Sequence, residues 1–142
     1  MVVVMDIIKK SKIMRKLLSI FLFIGLFLIS MNVMSQQIQP NWTAPSKYKN
    51  IKGQGDQNIG KELYMKNCKS CHGQKGLGDG PKSVSLKTFP GNFTDKKFQS
   101  HTDGEIYFIS FVGYNEMPNF EKKIMDDGDR WSIVSYIRTF KK

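Results

Sequence analysis

Cys68 and Cys71 are the only cysteines in the chain, and His72 follows the second directly. The run "NCKSCHGQKGLGDGP", residues 67–81, crowds two thiols and an imidazole ahead of a glycine-rich loop. C-x-x-C-H is the attachment signature of c-type haem. Two thiols about one helical turn apart can each add to one of the two haem vinyl groups. The adjacent imidazole is then held under the iron as an axial ligand. The expected cofactor is therefore one haem c, bound through Cys68 and Cys71 with His72 as proximal ligand. Other chemistries fit less well. A structural zinc site wants four ligands, and the chain offers one further histidine, His101, and no further cysteine. A thioredoxin-type thiol sits at a helix N-terminus, which lowers its pKa, whereas here the helical pattern precedes the motif. A disulfide beside an incidental histidine remains as the plain alternative.

The elements that must position this motif can be read from its flanks. Asn58 is the expected N-cap of a helix carrying Ile59, Leu63 and Tyr64 on its apolar side and running into Cys68. Residues 73–92 hold five glycines and two prolines and read as loop; a loop of that length in a small domain is functional or wraps something. Residues 103–112, "DGEIYFISFV", read as a helix capped by Asp103 with Glu105 in its first turn, although the β-branched and aromatic run is also strand-like. "GYNEMPNF", residues 113–120, is a second loop. A last helix starts at Asp126-Asp127-Gly128-Asp129 and carries apolar residues at helical spacing through Phe140. These elements give an all-α chain of three to five helices joined by long loops.

The N-terminus has another character. Lys9, Lys10, Lys12, Arg15 and Lys16 precede a nearly unbroken apolar run over residues 17–29, then small and polar residues to Ser35. That order describes a secretory signal, with cleavage expected after Ser35 and Met14 as a candidate true start. An uncleaved anchor is the alternative, though the run is shorter than the roughly 20 residues of a spanning helix. Residues 36–57 lack helix or strand period and read as a flexible arm, which leaves 58–142 as the domain. The whole chain has a formal net charge of +10; without the leader it is about +6. Its lysines alternate with apolar and small residues, with no arginine-rich run and no aromatic interleaving, so nucleic-acid binding is not expected. A diffuse lysine surface can steer docking to an acidic partner.

Four segments, "GKELYMKNCKSCHG", "GLGDGP", "GYNEMPNF" and "DRWSIVSYIRTF", together resemble the monohaem class I c-type cytochromes, in particular the small bacterial periplasmic ones, over roughly residues 60–140. The resemblance implies a cytochrome c-like fold whose long loops wrap one covalently bound haem. It implies Met117, followed by proline in "NEMPNF", as the sixth iron ligand. Met65 lies on the attachment side and Met125 just before the last helix; His101 is the rival for the sixth position. It further implies that the Pro81 carbonyl accepts the other N–H of His72, and that Gly78 and Gly80 let backbone pass near the haem edge. Gly60 and Tyr64 should meet Trp131, Ile133 and Tyr136 where the first and last helices cross. Phe89, Phe93, Phe98, Phe108, Phe111 and Phe120 should wall the haem.

The function expected on this basis is one-electron carriage in an extracytoplasmic respiratory chain, without catalysis by the chain itself. Its partners would be donor and acceptor proteins with acidic docking surfaces, met near Lys69, Lys75 and Lys82, and membrane association would follow if the leader stays attached. The alternatives are a cytochrome subunit of a larger respiratory complex, and a haem sensor or enzyme with an open sixth site. The absence of a second C-x-x-C-H counts against a dihaem peroxidase.

Overall fold

The computed structural model describes residues 14–19, 21, 40 and 42–142. The chain divides into two units, Met1–Gln37 and Ile38–Lys142. In the first, residues 14–19 and 21 are helical; the rest of the expected leader, with its cleavage point at Ser35, lies outside the described residues. No helix among the described residues is long and apolar enough to cross a membrane.

The second unit is built of helices: α1 (Ser46–Lys49), α2 (Gln57–Asn67), α3 (Lys69–His72), a 3-10 turn (Ser83–Ser85), α4 (Lys96–Gln99), α5 (Asp103–Tyr107) running on as a π-helix (Phe108–Val112), and α6 (Asp127–Arg138). Among the described residues there is no strand, only an isolated antiparallel bridge between Tyr114 and Met117. The fold is all-α, as expected.

Each long helix begins where a short polar side chain can take the free N–H groups of its first turn. Asp56 caps α2, accepting from the N–H groups of Asn58 and Ile59 at 2.7 and 3.1 Å. The cap lies two residues before the expected Asn58, because a carboxylate is both a good cap and a negative charge at the positive end of the helix dipole. Thr102, not Asp103, caps α5; its hydroxyl accepts from Glu105 N–H while the Glu105 carboxylate accepts from Thr102 N–H, a reciprocal capping box. Asp126 caps α6 within the expected acidic stretch. The strand-like residues 106–112 are helical because their apolar side chains face the core: Ile106, Tyr107 and Phe111 are buried.

The helices α2 and α6 cross at Gly60. A Cβ there would overlap the Ser132 carbonyl oxygen and press on Tyr136, so glycine is what lets the two backbones approach. Around the crossing Tyr64 and Ile133 are fully buried and Ile137 nearly so, each worth about 1.5–3 kcal/mol of burial. Trp131 packs on Tyr107, ring centroids 4.6 Å apart, and donates its indole N–H to Asp127.

The expected flexible arm over residues 36–57 is corrected by the structure. From Trp42 onward it is packed onto the domain: Trp42 and Ala44 are buried, Gly53 lies against the Trp131 ring, and Gly55 N–H donates to the Ser135 hydroxyl at 3.3 Å. The segment has no periodic pattern because single anchors hold it, an aromatic here and a close glycine contact there, and such anchors leave no period to read.

Gly60→Ala should therefore destabilise the folded protein by about 1–3 kcal/mol through overpacking. A thermal melt followed by far-UV circular dichroism checks this; an unchanged midpoint would show that the crossing tolerates a side chain.

Candidate haem site

The motif is a helical turn continuing α2. Cys68 N–H donates to Tyr64 O at 2.8 Å, and the N–H groups of Cys71 and His72 both donate to Cys68 O, at 3.2 and 3.0 Å. This backbone sets the two thiols one turn apart and buries His72 at the end of α3. Beneath it the Tyr64 hydroxyl donates to Gly73 O at 2.8 Å, tying the chain after the motif to the helix before it. The glycine-rich loop then folds back over α3: Gly78 N–H reaches His72 O at 2.9 Å and Gly80 N–H reaches Cys71 O at 3.1 Å. Gly80 has room only for hydrogen, since a Cβ would crowd the carbonyls of Lys69 and Ser70, and Gly78, at φ 76°, packs on the Phe89 ring. These glycines let the loop lie against α3 and Phe89.

A partly open, mostly apolar cavity lies beside this turn. Cys71 and His72 line one side, and Ile109, Ser110 and Met117 are among its other walls. A smaller pocket adjoins it, sharing His72, Phe93, Ser110 and Met117 and adding Cys68, Phe111 and Phe120. The imidazole and the expected thioether thus border both pockets, with Cys71 on the larger and Cys68 on the smaller. Five of the six expected phenylalanine walls lie on them; Phe108 instead packs against Tyr48 at 4.8 Å. Ile109 and Ser110 come from the π-helix, whose wide turn is closed by Gly113 N–H on Phe108 O; such turns gather at functional sites.

Met117 sits on a tight hairpin. Tyr114 and Met117 exchange both backbone hydrogen bonds, at 3.0 and 2.9 Å. Asn115 between them has φ 54°, a left-handed conformation that asparagine tolerates. Met125, by contrast, is 82% exposed.

Burial governs the site's electrostatics. It pushes the Cys68 thiol up to about 12, despite the nearby Lys123 ammonium, so this thiol is not the low-pKa nucleophile of a disulfide oxidoreductase. Burial also pushes His72 down to about 4, against the opposing pull of the Pro90 carbonyl. The imidazole is accordingly neutral at physiological pH, the form that ligates a metal. It is stacked on Phe93, centroids 4.6 Å apart at 26°, and Phe93 stacks in turn on Phe98. Its Nδ1 is buried with no hydrogen-bond partner.

Here the structure departs from the expected Pro81. Pro81 is exposed and borders neither pocket, whereas Pro90 lines the cavity together with His72. The physical reason is the return path of the loop. Gly80 and Lys82 spend their N–H groups on the carbonyls of Cys71 and Ser70 at the back of α3, so Pro81 is held behind the turn, and the chain reaches the imidazole only nine residues later.

Three participants were not read from the sequence. Phe93 was expected only as wall, yet it fixes the imidazole plane. Trp42, from the supposed arm, lines the cavity and stacks on His101 with centroids 4.2 Å apart. His101 thereby borders the cavity, with its Nδ1 3.5 Å from Glu105. Finally, Lys69, Lys75 and Lys82 are exposed but do not border the cavity, whereas Lys97 does. No local pattern marks these roles; each arises where distant segments meet.

The residues fit a haem. The space is mostly apolar, Cys71 borders the larger pocket and Cys68 the smaller, and the buried His72 imidazole carries an Nδ1 with no partner, free for the outer acceptor that orients a metal-bound histidine. Among the described residues no three or more His, Cys, Asp or Glu side chains gather to hold a bare metal ion.

The low His72 value sets a pH dependence. With the folded value near 4 and the ordinary value 6.5, the unfolded chain binds more protons in between. This contribution to stability is therefore complete above about pH 6.5 and is lost as pH falls toward 4, a total on the order of 3 kcal/mol. Iron ligation, which also needs the neutral ring, acts in the same direction. Guanidinium unfolding midpoints measured from pH 7 to 4.5 should fall steadily, and a flat profile would mean that His72 is not buried neutral.

The family described as cytochrome c oxidase, cbb3-type, subunit III matches residues 55–137, more than half of the chain. No curated protein matches the chain. The matched region begins at Gly55, just ahead of the Asp56 cap, and ends at Ile137 in α6, so it contains the helix crossing, the Cys68–His72 turn and the Met117 hairpin. With its Cys68–His72 turn set on the wall of this cavity, the chain belongs to this family and is a monohaem c-type cytochrome.

Proposed function

We propose that the protein is a one-electron relay outside the cytoplasm, in which Cys68 and Cys71 would hold a haem covalently and His72 and Met117 would ligate its iron. The observation that carries this reading is the convergence of both thiols, the buried imidazole and the Met117 hairpin on two adjoining, mostly apolar pockets. Bound haem supplies a one-electron couple. The chain's part is to hold that couple still and tune it. Phe93 and the Pro90 carbonyl orient the His72 ring, the carbonyl being the acceptor for Nδ1–H once Nε2 is turned to the iron. The Met117 sulfur, a soft neutral ligand, favours the reduced metal and raises the potential. The aromatic walls keep water from the site, which disfavours the extra charge of the oxidised state. With His72 and Met117 both engaged, the chain would leave no place at the iron for a substrate, and its role would be electron carriage alone. Lys97 at the cavity, with Lys69, Lys75, Lys82 and Lys87 exposed on the same domain, supplies positive charge for brief docking to acidic redox partners.

A second reading is favoured by the family to which the chain belongs: the relay works as a subunit of a respiratory oxidase rather than as a free carrier. Both readings share every site residue. Co-purification with membrane proteins on mild extraction would favour the subunit; recovery as a lone exported domain would favour the carrier.

The test of the site is the absorption spectrum of the exported protein, oxidised and reduced. A c-type reduced spectrum is expected, with the weak near-infrared thioether-to-ferric-iron band in the oxidised form. Met117→Ala should abolish that band and open the iron to carbon monoxide. If the wild type lacks the band and already binds carbon monoxide, the sixth position is open and the protein is a sensor or enzyme instead.

A further inference from the structure

The loop facing the attachment turn is tied across the cavity by one side chain. The hairpin's own backbone bonds, between Tyr114 and Met117, are internal to it. Glu116, next to Met117, reaches outward to the segment that leads to Pro90. Its Oε1 accepts from Lys87 N–H at 3.1 Å, and its Oε2 accepts from Thr88 N–H at 2.7 Å and from the Thr88 hydroxyl at 2.6 Å. Thr88, Pro90, Glu116 and Met117 all border the large cavity. Two backbone N–H groups and a hydroxyl are thus gathered on one carboxylate, and bonds of this charge-assisted kind are the stronger ones. Neither segment has regular structure to hold it in place: residues 86–90 follow a single 3-10 turn, and residues 113–117 are a hairpin of one bridge.

We propose that Glu116 is a positioning residue for the sixth iron ligand: by clasping residues 87 and 88 it holds the Met117 hairpin against the Pro90 segment, so that one strut sets the separation between the thioether side of the site and the imidazole side. This deepens the functional reading above and rests on it. The strut touches neither the iron nor the haem. It acts by limiting how often the hairpin swings open, since a ligand on a one-bridge hairpin competes with outside ligands in proportion to the time it spends away. Removing the strut should leave the Cys68–His72 turn in place, because the turn is held separately by its own backbone bonds, the Tyr64–Gly73 bond and the Phe93 stack.

The experiment uses the haem-loaded protein and added imidazole as a competitor for the sixth position, with Glu116→Ala, Glu116→Gln, Thr88→Val and the Glu116→Ala/Thr88→Val double variant. Glu116→Ala should keep a c-type reduced spectrum, weaken the near-infrared band and bind imidazole to the ferric form roughly 3–10-fold more tightly, as expected for the loss of charge-assisted hydrogen bonds at an exposed site. Glu116→Gln, which keeps one acceptor oxygen, should fall between. Thr88→Val should shift the same way by less, and the double variant should match Glu116→Ala, because both changes cut the same link. Imidazole affinity and band intensity unchanged in Glu116→Ala, in a wild type that shows the band, would overturn the strut alone. Additive effects in the double variant would also overturn it, by showing that Glu116 does not act through Thr88. A wild type without the band would overturn the Met117 ligation itself and the strut with it. Should Glu116→Ala fail to load haem, Thr88→Val carries the test, since it deletes one bond and keeps the carboxylate.

Discussion

The close crossing of α2 and α6 is the constraint on which the site depends. It is possible only because Gly60 presents hydrogen where any side chain would meet the Ser132 carbonyl. The crossing fixes α2; α2 carries Tyr64 into the core; and Tyr64, fully buried, spends its hydroxyl on Gly73 just past the motif. The Cys68–His72 turn is therefore held from both ends by groups that cannot move without opening the core. A haem-attachment turn needs this rigidity, because two thiols and an imidazole must meet one planar group at three points.

Opposite that rigid turn the site is made of loops. The chain manages the difference by stacking and clasping rather than by regular structure. Phe98 supports Phe93, which supports the His72 ring; Trp42 supports His101 at the cavity wall; Glu116 joins the Met117 hairpin to the Pro90 segment. Arg138, at the end of α6, donates to the carbonyls of Gln99 and His101 and pairs with Asp103, at 2.7 Å, so the short helices on this side are fastened to the same long helix that crosses α2. A rigid helical side and a loop-built side thus meet at one site.

Membership of the cbb3-type subunit III family implies haem-based electron transfer. The structure adds that the N-terminal segment from Trp42 onward is part of the domain, with Trp42 itself in the cavity wall. The electron-carrying module thus begins earlier in the chain than its helical pattern.

The amino-acid sequence by itself determined the C-x-x-C-H spacing that marks the site, the all-α character and the pairing of the first and last helices. Each is written in adjacent residues or in a period: C-x-x-C-H, caps before apolar stripes, a glycine at the crossing. The same holds for the T-x-x-E capping box, which was there to be read although the cap was assigned one residue late. Tertiary structure alone decided which proline faces His72, what Glu116 clasps, and that Trp42 and His101 meet at the cavity. Pro81 stands nine residues after His72 and Pro90 eighteen, and spacing cannot choose between them, because the choice depends on where the intervening glycines spend their N–H groups. Contacts between distant irregular segments have no period and no local signature. They exist only once the helix crossing has set the distance those segments must span.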